Sequence, residues 1–304
     1  MINQIAFHIG PIPIYWYGII LATGALMGLL ITIREGKRFN IKPEFFMDLL
    51  LYGAILAIIC ARIYYVIFQW DQYADNPLKI FAIWEGGIAI YGALIGAVIA
   101  AYFLTRSRGY SFWRIADIAA PGLLVGQLIG RWGNFINQEA YGGPVSETFL
   151  RDRLHLPDFI VNQMYINGEF HHPTFLYESV WNFVGLLLIV LWLRRRSFVR
   201  AGEIFMSYLI WYSIGRFFIE GLRTDSLSFT GPDWLASIMD ALWSPMQLVF
   251  EWGAMTYGGN IRISQLVAIL SIIGCIVIII VRRKTGAAKE RYLDPIVSTK
   301  EQAA

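Results

Sequence analysis

Apolar stretches of about 20 residues recur along almost the whole of this chain, the length at which a helix spans a hydrocarbon core of about 30 Å. Of its 304 residues, 57% are hydrophobic and 15% are charged. Soluble domains hold about 45–50% apolar and about 25% charged residues. The sequence therefore predicts an all-α membrane protein and argues against a soluble globular domain.

Seven segments have the length and hydropathy of a transmembrane helix. They are Ile14–Ile33, Phe46–Phe68, Ile88–Thr105, Ile115–Phe135, Thr174–Leu193, Gly202–Leu222 and Ile263–Val281. The first follows an uncharged N-terminus and lacks a small-residue cleavage site, so we expect it to be retained and not removed as a signal peptide.

The positions of Lys and Arg predict the orientation of these spans. Positive residues cluster in alternate connections and in the tail, at 34–42, 106–114, 194–200 and 282–300. Loops rich in Lys and Arg stay in the cytoplasm. We therefore expect an outside N-terminus, a seven-span membrane domain over residues 1–281 and a cytoplasmic basic tail over 282–304.

Two connections assigned to the outer face, about 136–173 and about 223–262, are long for links between helices. Long ordered loops often form lids or binding segments, so we expect loops or arms that form a small head region. The second contains Trp234, Trp243 and Trp252. Such aromatic residues usually lie in the membrane interface; the alternative is an arm that dips into lipid and gates a lateral opening.

Three arginines, Arg62, Arg131 and Arg216, fall inside or at the edge of predicted spans. An Arg at the centre of a span costs about 2.5–3.5 kcal/mol on insertion scales, so such residues indicate function and a nearby partner. The alternative is snorkelling to the interface, which suits Arg62 because it lies near a helix end.

The first polar cluster extends from Gly130 to Gly143. Its residues Arg131, Asn134 and Gln138 share one helix face, and the flanking glycines allow a backbone or headgroup to approach closely. A helix end rich in guanidinium and amide donors suits a phosphate ester.

The second polar cluster extends from Tyr212 to Asp225. Here Arg216, Glu220 and Arg223 share one face, so Glu220 is placed to bridge two arginines. Two interpretations stay open for this cluster: a structural ion triad between helices, or a carboxylate that orients Arg216 toward a ligand.

Smaller polar groups open other spans, at Trp16-Tyr17-Gly18, at 84–96 and at 172–178. Each alone is typical of an aromatic belt, but together they indicate a site entered from the outer leaflet. Cys60 and Cys275 lie in separate apolar stretches and match neither a disulfide framework nor a zinc site. The formal net charge of +3 gives no indication of nucleic-acid binding.

These motifs, in this order, resemble those of the prolipoprotein diacylglyceryl transferase family from Trp16 to the last span. The most specific string is Gly130-Arg131-x-Gly-Asn134-Phe-x-Asn137-x-Glu139, and the second is Gly215-Arg216-Phe217 with Glu220 and Arg223. The resemblance implies a bacterial cytoplasmic-membrane enzyme that moves diacylglyceryl from phosphatidylglycerol to the lipobox cysteine of a preprolipoprotein. It implies no metal and no cofactor.

The resemblance also assigns roles to residues. Arg131 and Arg216 are expected to stabilise charge on the departing phosphate, with Glu139 and Glu220 positioning these arginines or accepting a proton. The other catalytic candidate is Tyr91. The expected substrate-binding residues are Tyr17, Asn134, Asn137, Gly142, Arg223 and Tyr177.

One position departs from the family pattern, because many members carry His-Gly where this chain has Tyr91-Gly92. A phenol is a poor general base at neutral pH. We therefore expect no fixed imidazole base, with Tyr91 in a positional or weak hydrogen-bonding role and thiolate supplied by the field of the arginines.

Two other functions are alternatives to the transferase: a transporter for an anionic solute and a non-catalytic lipid-binding subunit.

Overall fold

The computed structural model describes residues 2–250 and 259–296, and helices fall on all seven predicted segments. The nine α-helices of the described residues are α1 Trp16–Lys37, α2 Pro43–Phe68, α3 Ile90–Ser107, α4 Phe112–Asn137, α5 Asp158–Gln163, α6 Thr174–Leu187, α7 Glu203–Glu220, α8 Asp233–Trp243 and α9 Ile263–Lys284. Further helical turns extend α6 to Arg195.

Six helices in the described part of the chain are long and apolar enough to cross a membrane: α1, α2, α3, α4, the extended α6 and α9. Helix α7 occupies the segment predicted at Gly202–Leu222, but it carries the charged residues Glu203, Arg216 and Glu220. The structure thus gives a mostly helical protein with six candidate spans, and the seventh span stays a prediction.

Three short antiparallel strand pairs within residues 2–250 and 259–296 were not predicted. They are β1 Ile5–Ile9 with β2 Ile12–Tyr15, β3 Tyr165–Ile166 with β4 Glu169–Phe170, and β5 Ser228–Phe229 with β6 Ile261–Arg262. The turn between β1 and β2 contains Gly10 at φ 59°, a left-handed conformation that glycine adopts readily. Because Ile14 and Tyr15 pair with β1, α1 begins at Trp16 and not at Ile14.

The chain divides into two units, one of residues 1–28 and 120–293 and the other of residues 29–119 and 294–304. In the second unit, α2 and α3 pack through glycines of α3. A Cβ at Gly92 would collide with the backbone of α2 at Cys60 and Ala61, and a Cβ at Gly96 would collide with the Leu56 carbonyl. Small residues at such positions let helix backbones approach closely in lipid.

Arg62, in the second unit, is buried and does not snorkel. Its guanidinium donates to a ring of backbone carbonyls in the connection between α2 and α3. The acceptors are Lys79 at 2.6 Å, Ile80 at 2.8 Å, Gly86 at 2.7 Å, Gly87 at 2.9 Å and Ala82 at 3.4 Å. Arg62 therefore satisfies its own donors and holds this connection in one conformation.

In the first unit, the predicted head segments pack against the end of α4, the start of α6 and the second half of α7. The connection after α4 folds around a buried cluster that includes Leu150, Val161 and Phe175. In the later connection Trp243 of α8 is buried, whereas Trp234 is 66% exposed; Trp252 lies outside the described residues. The outer-face location of these segments stays a prediction.

The start of the predicted tail is folded onto the first unit. Helix α9 ends at Lys284, and Tyr292 beyond it is only 1% exposed. The Tyr292 amide donates to the Val199 carbonyl at 2.8 Å, and Arg283 binds both oxygens of Glu203 at 2.6 and 2.7 Å. These contacts tie the segment after α9 to the residues that precede and begin α7.

The α2–α3 packing gives a stability prediction. Changing Gly96 to Ala should destabilise the protein by about 1–3 kcal/mol, because the added methyl group overpacks the α2 backbone. Changing Gly53 to Ala should be neutral or slightly stabilising, because a Cβ there meets no atom within 4 Å. Thermal unfolding in detergent compares the two variants, and equal unfolding temperatures would contradict the close approach.

Candidate active site

The centre of the candidate site is a buried carboxylate, Glu178, on the second turn of α6. Its Oε2 lies 2.6 Å from Nε of Arg131 on α4, and its Oε1 lies 3.6 Å from Nη1 of Arg216 on α7. The Glu178 side chain is 6% exposed, and the two arginine side chains are 20% and 19% exposed. One carboxylate therefore contacts both arginines, which the sequence analysis identified in two different polar clusters.

The polar face of α7 continues this network. Nη2 of Arg216 lies 2.7 Å from Oε2 of Glu220, and the same oxygen lies 3.9 Å from Nε of Arg223. Arg223 also binds both oxygens of Asp225, at 2.8 and 2.6 Å. The predicted bridging position of Glu220 between two arginines is thus observed, with Arg216 as its closer partner.

The hydrogen bonds between Arg223 and Asp225 affect both pKa values. Burial alone would raise the pKa of the Asp225 carboxyl, but the hydrogen bonds and charge of Arg223 hold it below its usual range. Burial alone would lower the pKa of Arg223, and Asp225 outweighs that effect and raises it. Both groups are therefore charged at neutral pH.

Carboxylates offset part of the positive charge in this network. Among the described residues its ion pairs join three arginines, Arg131, Arg216 and Arg223, to three carboxylates, Glu178, Glu220 and Asp225. These pairs reduce the positive field of the three arginines. Nearby cations lower a thiol pKa only as far as their charge is uncompensated, and the expectation that the field of the arginines supplies a thiolate stays a prediction.

The network still leaves guanidinium donors for a ligand. Nη1 of Arg216 is buried and makes no hydrogen bond among the described residues. The ion pair of Arg131 with Glu178 is made by Nε of the guanidinium. Nη1 of Arg216 has only the 3.6 Å ion-pair contact with Glu178. A buried donor that makes no hydrogen bond costs free energy, so an anionic ligand placed to accept from it would be favoured.

The end of α4 turns sharply beyond the first cluster. Gln138 and Ala140 have φ values of 52° and 57°, and the Glu139 amide donates back to the Asn134 carbonyl at 3.0 Å. The Asn134 side-chain amide in turn donates to Oε1 of the exposed Glu139 at 2.8 Å. Asn134 and Glu139 thus form one polar unit, one helical turn beyond Arg131.

Tyr17 and Asn137 border a cavity of about 650 Å³ between the β1–β2 hairpin, the start of α1 and the end of α4. The ring of Tyr17 also lies where a Cβ at Gly133 would stand, so this glycine admits the ring. Most of the remaining lining is apolar, including Ile14 and Ile19. The two predicted substrate-binding residues therefore share one cavity.

Gly142 and Tyr177 have partners within the protein. The Gly142 amide donates to the His172 carbonyl at 3.0 Å, and a Cβ at Gly142 would collide with the His172 side chain. The Tyr177 hydroxyl lies 3.2 Å from Nδ1 of His172. Gly142 thus has a packing role here, and the predicted role of both residues in substrate binding stays a prediction.

Tyr91 belongs to the other unit, as the second residue of α3. Its side chain is 43% exposed, and its ring centroid lies 6.4 Å from that of Tyr64 on α2. The predicted catalytic role of Tyr91 stays a prediction.

Glu178 was absent from the site residues predicted from the sequence. A signal for it existed, because a glutamate within an apolar helix is as costly as an arginine and needs a partner. Its partners lie on two other helices, however, and no spacing within α6 indicates them.

A model of the family described as prolipoprotein diacylglyceryl transferase matches residues 4–281. A protein of Halalkalibacterium halodurans is 50% identical over 97% of this chain and 91% of its own length. A protein of Bacillus cytotoxicus is 50% identical, and one of Bacillus velezensis 49%, each over 96% of this chain and 97% of its own length. All three relatives are named phosphatidylglycerol–prolipoprotein diacylglyceryl transferase.

His172 gives a pH-dependent prediction. Burial, with a smaller effect of the neighbouring His171, lowers the pKa of His172 to about 4, against about 6.5 in an unfolded chain. The unfolded state therefore binds more protons between these values, so the contribution of His172 to stability is complete above pH 6.5. We expect up to about 3 kcal/mol of it to be lost as the pH falls to about 4.

Unfolding in detergent should be followed between pH 7 and 4 for the wild type and for His172→Asn. Carboxylates titrate in both proteins, so the difference between the two curves isolates the imidazole. His171→Asn is the matched control. Parallel curves for the wild type and His172→Asn would contradict the prediction.

Proposed function

The chain belongs to the prolipoprotein diacylglyceryl transferase family, and from that premise we propose that it transfers diacylglyceryl from phosphatidylglycerol to the lipobox cysteine of a preprolipoprotein. The transfer would be the first step of bacterial lipoprotein maturation. The relatives share one transferase name, so the transporter alternative finds no support.

The observation that carries this proposal is the meeting of Arg131 and Arg216 at Glu178. Two guanidinium groups are thereby held by one buried carboxylate, and the phosphodiester of the proposed substrate would accept from both. Their orientation is set before substrate arrives, which is the condition under which fixed donors stabilise developing charge most effectively.

In the proposed reaction the cysteine sulfur attacks the glyceryl carbon that carries the phosphate ester. A C–S bond forms and the C–O bond breaks, with its electron pair leaving on glycerol phosphate. A general base accepts the thiol proton. Our candidate for this base is Glu139, because it is exposed and accepts a hydrogen bond from Asn134. Glu220 is buried against Arg216 and positions that arginine.

The cavity beside Tyr17 and Asn137 is suited to part of the donor lipid. Its apolar lining favours hydrocarbon, and Tyr17 and Asn137 offer polar groups at its edge. A site of this composition, apolar with a few directed polar groups, is typical for small amphiphilic ligands. Asn134, at the same end of α4, would orient the headgroup.

We also propose that α7 is the seventh span, with the N-terminus outside and the C-terminus in the cytoplasm. Its three charged residues have partners: Glu203 binds Arg283, Arg216 contacts Glu178 and Glu220, and Glu220 lies between two arginines. Paired charges lower the cost of burying such a helix in lipid. The distribution of Lys and Arg supports the orientation.

The first functional prediction concerns the two arginines. Arg131→Ala and Arg216→Ala should each lower kcat by about 10²- to 10³-fold, the loss typical of one preorganised donor to a developing anion. Thioether formation from phosphatidylglycerol and a short lipobox peptide, in liposomes, measures the effect. Glu178→Gln should lower kcat as well, because it releases both guanidinium groups.

Arg151→Ala is the matched control, because Arg151 is paired with Glu147 and Asp158 in the connection after α4. It should retain wild-type kcat. Full activity in a folded Arg131→Ala or Arg216→Ala variant would remove that arginine from the mechanism. A folded wild type that leaves the peptide thiol intact would refute the transferase proposal.

The second functional prediction concerns Tyr91. Tyr91→Phe should retain most of the activity, because a positional role needs the ring and not the hydroxyl. Tyr91→Ala should lose activity by more than Tyr91→Phe does. Thioether formation in liposomes compares the activities of the two variants. A loss of activity in Tyr91→Phe as large as in Tyr91→Ala would assign a proton-transfer or hydrogen-bonding role to the hydroxyl.

A further inference from the structure

Two tryptophans join α6 and α7 in a reciprocal contact. The rings of Trp181 and Trp211 stack with centroids 4.1 Å apart and planes within 12°. The Trp181 indole donates to the Trp211 carbonyl at 2.8 Å, and the Trp211 indole donates to the Trp181 carbonyl at 2.9 Å. Each tryptophan is therefore donor and acceptor for the other.

Two glycines make this contact possible. Gly185 follows Trp181 by four residues and Gly215 follows Trp211 by four, so in each helix the glycine stands one turn beyond the accepting carbonyl. A Cβ at Gly185 would collide with the Trp211 ring, and a Cβ at Gly215 would collide with the Trp181 ring. Both helices thus carry the same Trp-x-x-x-Gly pattern, and the two copies interlock.

The contact fixes the register of α6 against α7. A backbone carbonyl has two lone pairs, so it can accept the indole N–H in addition to its helical hydrogen bond. A shift by one residue moves a helix by about 1.5 Å and would break both indole hydrogen bonds. In lipid no water replaces a lost hydrogen-bond partner. The register with both indole hydrogen bonds is therefore strongly preferred over registers shifted by one residue.

The same register controls the candidate site. Glu178 precedes Trp181 by three residues, close to one turn of α6, and Arg216 is adjacent to Gly215. The carboxylate of Glu178 lies 3.6 Å from Nη1 of Arg216 and 2.6 Å from Nε of Arg131. A shift of one residue between α6 and α7 would therefore change the position of Glu178 relative to Arg216.

We infer that Trp181 and Trp211 are positioning residues, which hold α6 and α7 in the register that places Glu178 against Arg216. This inference rests on the proposed transfer reaction, because the effect of the tryptophans is measured as a change in the catalysis to which Arg216 contributes. The tryptophans touch no reacting atom in this scheme; they act through the orientation of the guanidinium.

The test changes both tryptophans to Phe, which keeps an aromatic ring and removes both indole donors. Trp181→Phe/Trp211→Phe should lower kcat by about tenfold to 100-fold, because a displacement of about 1 Å costs on the order of 10²-fold. The KM for phosphatidylglycerol should stay within about twofold. Each single Phe variant, which retains one of the two hydrogen bonds, should show a smaller loss.

The decisive comparison repeats the double change in an Arg216→Lys protein, which keeps the charge and loses the planar fork. If the tryptophans act through Arg216, the double change should now lower kcat by less than about threefold. Equal losses in both backgrounds would indicate general packing and overturn the inference. Unchanged kcat in the double Phe variant, with the near-ultraviolet dichroism of the stacked pair abolished, would also overturn it.

Matched controls separate these outcomes from loss of folding. Trp192→Phe changes a tryptophan of the α6 extension that is 50% exposed, and should leave kcat unchanged. Gly215→Ala should reproduce the loss, whereas Gly274→Ala on α9 should not, because a Cβ at Gly274 meets no atom within 4 Å. Thioether formation by the wild type tests the proposed function separately. If the wild type forms no thioether, the proposed reaction is refuted. If the wild type forms it and the tryptophan variants have the same kcat, only the positioning role is refuted.

Discussion

The arrangement of α4, α6 and α7 depends on one buried carboxylate that two arginines share. Arg131, Glu178 and Arg216 come from three different helices, and each is costly alone in a membrane. Breaking a buried ion pair by removing one partner typically costs about 3–5 kcal/mol, because the other charge is left uncompensated. These ion pairs therefore hold the three helices together, because separating the helices would leave buried charges unpaired.

Ion pairing of this kind requires helices that approach closely, and small residues provide the approach. Lipid gives no hydrophobic force between spans, so packing and interhelical hydrogen bonds must hold them together. A Cβ at Gly28 of α1 would lie 2.7 Å from the Gly122 carbonyl of α4. Between α6 and α7 the interlocked tryptophans add hydrogen bonds to such packing, and they do so beside the charged residues.

The sequence predicted the helices well because the signal for a membrane helix is local: a run of apolar residues of sufficient length. It also predicted the contact of Glu220 with Arg216, since both lie on one helix face. It placed Glu178 in the polar group at 172–178 but did not name it as a site residue, because its partners depend on the register between helices. It missed the β1–β2 hairpin as well, because the apolar Ile12–Tyr15 run is equally compatible with a strand and a helix start.

In the proposed reaction, the carboxylates that pair with the arginines influence how far the site favours the transition state over bound lipid. Among the described residues three arginines face three carboxylates, which offset part of the attraction of these arginines for a phosphodiester of one negative charge. A departing phosphate monoester carries about 1.5 to 2 negative charges at neutral pH, and it accepts more strongly from fixed donors. In the proposed reaction Nη1 of Arg216, which is buried and makes no hydrogen bond among the described residues, would be satisfied best when charge has developed on the leaving group. Stabilisation of that kind raises kcat instead of tightening substrate binding.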